Sequence, residues 1–72
     1  MDEIEMVQER VTVLPDGRLT RKDAARYLGR KPRTLADWAR LGLGPRSRLV
    51  GGRRFYMLGD LQAFARGEQA GA

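Results

Sequence analysis

Apolar residues recur at helical spacing in three places along this 72-residue chain. Ala24, Ala25 and Leu28 share one stripe, with Arg21, Lys22 and Arg26 mostly off it, so the spacing predicts a helix over about residues 21–28. Thr20 offers an N-cap hydroxyl, Asp23 three residues on resembles the acidic member of a capping box, and Gly29 closes the helix. Pro32 suits the first turn of a second helix that reaches Leu41 and stops at Gly42, with Leu35, Trp38 and Ala39 packing on the first. Only Gly29, Arg30 and Lys31 remain between the two, which is helix-turn-helix spacing. A third stripe, Leu61, Phe64 and Ala65, predicts a last helix that begins at Gly59 or Asp60 and ends at Gly67.

Between the second and third helices the period changes. Gly42-Leu43-Gly44-Pro45 reads as a loop, and Ser47 to Tyr56 as a β-hairpin about the two-residue turn Gly51-Gly52. That turn sets Val50 opposite Arg53, Leu49 opposite Arg54 and Arg48 opposite Phe55. Neither face is purely apolar, so periodicity leaves open which one packs inward. Upstream, Val11-Thr12-Val13-Leu14 reads as a brief strand before a Pro15-Asp16-Gly17 turn. The expected organisation is an acidic N-terminal arm over residues 1–17, one folded domain over 18–67 and a disordered tail over 68–72. Trp38, the one tryptophan, lies inside an apolar stripe and is expected to anchor the core, so that its replacement by alanine should cost about 3 to 5 kcal/mol.

Composition narrows the function. A chain this short has room for one small core and no large catalytic cleft. It holds no cysteine, hence no disulfide framework or thiolate metal site, and no histidine, the commonest general base and metal ligand. No enzyme, no metal and no cofactor or small-molecule ligand is therefore expected. No apolar run approaches a membrane span, and Met1 to Glu9 is acidic where a signal peptide would be basic. The expectation is a soluble cytoplasmic protein.

Charge sharpens this. Residues 1–17 hold Asp2, Glu3, Glu5, Glu9 and Asp16 against Arg10, whereas residues 18–72 hold thirteen basic and four acidic side chains. All the basic residues except Lys22 and Lys31 are arginine, whose planar fork suits phosphates and guanine edges. By itself such a surface is also what a solvated arginine-rich protein shows, so charge alone gives nucleic-acid binding only a slight preference.

The segment Leu19-Thr20-Arg21-Lys22-Asp23-Ala24-Ala25-Arg26-Tyr27-Leu28-Gly29, then Pro32-Arg33-Thr34-Leu35, Trp38, Gly42-Leu43, Gly51-Gly52-Arg53-Arg54 and Asp60-Leu61-Gln62-Ala63-Phe64, resembles the excisionase-like, MerR-type winged-helix family. The resemblance covers about residues 19 to 66. It implies a small α+β, mostly helical fold, a winged helix-turn-helix with a two-helix core motif, a β-hairpin wing and a C-terminal helix. It also implies double-stranded DNA as partner. Short stand-alone members of the family are often excisionases, also called recombination directionality factors, of phages or mobile elements, or small transcriptional regulators. Two departures stand out: Asp37 puts a carboxylate on the presumed recognition face, and Met57-Leu58-Gly59 lacks the usual Ser or Pro before the last helix. Asp37 either accepts from a cytosine amino group or holds Arg33 or Arg40, the second role being the commoner.

On DNA, Arg33 and Thr34 at the first turn of the second helix are expected to enter the major groove, with Asp37 and Arg40 further along that face. Lys31 and the amides of the turn are expected to hold a phosphate. In the wing, Gly51 and Gly52 allow close approach, and Arg48, Arg53 and Arg54 meet phosphates or a narrow minor groove. Thr20, Arg21 and Arg30 complete the backbone contacts. An excisionase would work with a site-specific integrase and self-associate on DNA. A promoter-binding regulator, a protein-interaction adaptor with an acidic partner and, last, the DNA-binding part of a packaging terminase are the rival readings.

Overall fold

A computed structural model describes residues 10–68, so Met1 to Glu9 and residues 69–72, most of the expected arm's acidic stretch and of the expected tail, lie outside the described residues. Six elements follow one another: β1 (Arg18–Thr20), α1 (Arg21–Leu28), α2 (Pro32–Leu41), β2 (Arg48–Val50), β3 (Arg53–Met57) and α3 (Leu58–Ala65). The strands form one antiparallel sheet in the order β1-β3-β2.

Local chemistry explains the first two helices. Thr20 Oγ1 accepts from the Asp23 amide at 3.3 Å and donates to Asp23 Oδ2 at 3.2 Å, which closes the first turn of α1. Pro32 opens α2, and Gly29 and Gly42 end the two helices in left-handed conformation, as expected. The hairpin has the register that its turn dictates: Arg48 faces Phe55, Leu49 faces Arg54 and Val50 faces Arg53. Gly51 and Gly52 have φ of +58° and +82°, the pair of positive values that a tight hairpin turn demands.

Leu19, Ala24, Ala25, Leu35, Tyr56 and Leu61 form the buried core, with Val11, Leu28, Trp38 and Leu58 packed around it. Leu19 of β1 lies directly opposite Tyr56 of β3. This pair sets the core-facing side of the sheet: Leu49, Arg54 and Tyr56 share it with Leu19 while Arg48, Arg53 and Phe55 share the other, but only Tyr56 of the hairpin is buried there and all three residues of β2 are exposed.

Four expectations need correction. The strand before α1 is Arg18–Thr20 and not Val11 to Leu14, since β3 offers its free edge to residues 18–20 and residues 11–14 have no ladder partner. The Leu14 amide instead bonds the Arg18 carbonyl and the Gly17 amide the Leu14 carbonyl, each at 2.8 Å, across the expected Pro15-Asp16-Gly17 turn. Val11 packs against the core, so the lead-in belongs to the folded body from that residue on. The last helix starts at Leu58, whose amide donates to the Gly17 carbonyl at 2.9 Å; Leu58 packs inward and Ala65 is exposed rather than closing the core. Finally, Trp38 is half-buried at the rim of the core, against Phe64 at a centroid distance of 5.6 Å.

Candidate nucleic-acid interface

The pairing of β1 with β3 decides where the wing's charges go. Thr20 is opposite Phe55 in antiparallel register, so the chain that continues from Thr20 into α1 passes the residues that precede Phe55. The outcome is an open groove of about 380 Å³ lined by Thr20, Arg21, Lys22, Gly52, Arg53 and Arg54. Four cationic side chains line it and no carboxylate does. The positive end of the α1 dipole adds to their field.

Within this groove the side chains are held in different ways. Arg54 Nη1 donates to Ser47 Oγ at 2.6 Å, which fixes the guanidinium across the base of the wing. Arg21, Lys22 and Arg53 are exposed. The Tyr56 hydroxyl is buried without a hydrogen bond among the described residues. Burial pushes its pKa above the ordinary 10.0, and the nearby positive charges of Arg21 and Arg54 oppose that rise in part. At the wing tip, open space surrounds Gly51 and Gly52, so a backbone can approach there closely.

Elsewhere the expected residues are placed as follows. Lys31, Arg33, Asp37 and Arg40 are exposed on α2, and Thr34 is half-buried. No side chain caps the first turn of α2. Arg40 Nη2 lies 3.5 Å from Asp37 Oδ1, so in this state Asp37 has the arginine-holding role at i+3. Arg48 is exposed on β2, on the outer face of the sheet. Arg30 is not brought together with Thr20 and Arg21: it lies beyond the opposite end of α1, with its guanidinium 5.9 Å from the Trp38 ring centroid.

One groove residue was absent from the expected set. Lys22, in the sequence a position off the apolar stripe of α1, lines the groove beside Arg21. Its signal was its place in the first turn of α1, which gains meaning only once β1 is known to pair with the wing.

Two helices joined by a tight turn, a basic hairpin paired to the strand that enters the first helix, and a closing helix together make a winged helix-turn-helix. The chain belongs to the Helix-turn-helix domain family, whose model matches residues 18–69. A domain of this kind points to DNA as its partner. No curated protein and no solved structure matches the chain. Among the described residues, no helix is long and apolar enough to cross a membrane.

Proposed function

We propose that this is a sequence-specific double-stranded DNA-binding protein of the cytoplasm and, within that class, an excisionase or recombination directionality factor that binds and bends DNA to direct an integrase toward excision. The observation that carries the DNA reading is the carboxylate-free groove in which Arg21 and Lys22 of α1 meet Arg53 and Arg54 of the wing. The finer reading is supported by the resemblance of the Leu19 to Gly29, Gly51 to Arg54 and Asp60 to Phe64 motifs to excisionase-like proteins. The protein performs no chemistry of its own; its work is to hold and shape the duplex.

In this mechanism the groove takes the sugar-phosphate backbone, where neutralised phosphates release counterions and supply affinity without sequence preference. Sequence is read by the exposed first turn of α2, with Arg33 entering the major groove beside Thr34, and Asp37 and Arg40 following. Lys31 adds a phosphate contact. Arg48 and the Gly51-Gly52 tip extend the wing toward the minor groove. The energy that bending costs is offset by the contacts a curved duplex makes with the wing and by neighbouring copies bound in series.

Selection of fragments from a random DNA pool by the purified protein tests this. The proposal expects a defined motif, retarded mobility dependent on the motif's place in a permuted fragment, and direct repeats of the motif beside a recombination core. A single palindrome over a promoter would replace the excisionase role with a regulator's, and absence of any enriched motif would remove sequence-specific binding altogether. Replacing Arg33 with alanine should cost about 1 to 3 kcal/mol on the selected site and much less on random DNA. Equal losses on both would show that Arg33 reads no base.

A further inference from the structure

At the other end of α1 a second groove, of about 430 Å³, is lined by Tyr27, Leu28, Arg30, Trp38, Phe64 and Ala65. It shares no residue with the basic groove. Three of its residues are aromatic, and the Trp38 and Phe64 rings meet at 53°. Arg30 stands over Trp38 and pairs with no carboxylate of the described residues. An aromatic recess at the rim of the core, edged by arginine, has the chemistry to hold an acidic segment that also carries apolar side chains.

We propose that residues 1–9 of this chain are its occupant, with Ile4, Met6 and Val7 against the rings and the carboxylates of Asp2, Glu3 and Glu5 beside Arg30. Position favours this segment. The Arg10 carbonyl accepts from Arg26 Nη1 at 3.4 Å, so the chain joins the folded body on α1 within one turn of Tyr27 and Arg30. Reach is sufficient as well, because nine extended residues span up to about 30 Å and α1 is only about 12 Å long.

Charge and pattern agree with position. Residues 1–9 carry four carboxylates and no basic side chain, in a protein otherwise rich in arginine. Their apolar residues alternate with acidic or polar ones over Ile4-Glu5-Met6, and a methionine adapts well to an irregular aromatic recess. A segment tethered this closely has an effective concentration of about millimolar, which favours the chain's own arm over that of a second copy in dilute solution. The inference is independent of the DNA reading, and it assigns Arg30 to the protein's own arm instead of to the phosphate backbone.

Trp38 is the only tryptophan, so its fluorescence reports this groove directly. In the full-length chain with Ile4, Met6 and Val7 all replaced by serine, Trp38 emission should move to the red by several nanometres and acrylamide quenching should rise, while the far-ultraviolet circular dichroism stays unchanged. The variant D2N/E3Q/E5Q, or molar salt on the wild type, should give part of the same shift. Unchanged emission in the folded serine variant would overturn the proposal. So would wild-type emission that depends on protein concentration, which would make a second copy the occupant. Should the serine variant fail to fold, nuclear Overhauser contacts between the Ile4, Met6 or Val7 methyls and the Trp38 indole in the wild type decide the matter, and their absence in a dilute sample is fatal to it.

Discussion

Gly44 has a φ of +78°, and a Cβ built on it would lie 2.8 Å from Trp38 Cε3 and 3.0 Å from Trp38 Cβ. The loop after α2 is thus pressed against the indole, and both backbone conformation and space require glycine there. Gly44→Ala should lower stability by about 1 to 3 kcal/mol in a denaturant titration, through crowding and left-handed strain. Tyr56 gives the opposite expectation, because its hydroxyl is buried without a partner and a phenylalanine of nearly the same shape removes that cost. Tyr56→Phe should therefore equal or exceed the wild type at neutral pH. Burial raises the Tyr56 pKa above the ordinary 10.0, so the fold resists ionisation of the phenol: this group costs no stability through titration below that value, and stability falls as pH climbs from there through the folded-state pKa. Melting temperatures followed above pH 10 should fall less steeply for Tyr56→Phe than for the wild type. At this scale the sequence showed Trp38 as a packing residue but not Gly44 beneath it. The reason is that Gly42 to Pro45 has no periodicity, and only the path of the chain reveals that Gly44 and Pro45 are buried.

Elements whose ends are set by neighbours in sequence were legible, and those set from across the fold were not. Thr20, Gly29, Pro32 and Gly42 bound α1 and α2 through contacts within a few residues, and the Gly51-Gly52 turn fixes the wing's register for the same reason. The start of α3 is different: the missing Ser or Pro is replaced by the Gly17 carbonyl, supplied by a turn at the far end of the sheet. Likewise β1 has only three residues, too few for any alternation, and exists because β3 pairs on both edges. The proposed grip of the wing on DNA belongs to this scale too. Neutralising Arg53 and Arg54 together should weaken binding to every sequence and reduce the slope of log affinity against log salt by about two. Neutralising Arg21 and Lys22 should do the same from the opposite wall of the groove, and a slope left unchanged by either pair would take that wall out of the interface.

Over the whole molecule, the excess of thirteen basic over four acidic side chains from residue 18 onward was plain, but by itself it gave a polyanionic partner only a slight preference and did not say where the cations gather. That depends on strand pairing between distant segments: β1 with β3 concentrates Arg21, Lys22, Arg53 and Arg54 at one end of α1 and leaves the aromatic recess at the other. The sheet order has one more effect. β2 is one of the two edge strands, and it exposes Leu49 by 64% and Val50 by 46% next to backbone groups that no fourth strand takes up among the described residues. Arg48, next to Leu49 in β2, and Arg53, opposite Val50 on β3, put positive charge beside this edge and should repel the same strand of another molecule. Alanine at both positions should thus make the protein prone to aggregate, seen as light scattering that grows with concentration in the absence of DNA. The same guanidiniums would serve the molecule twice, as a grip on a polyanion and as the reason that free copies stay apart in its absence.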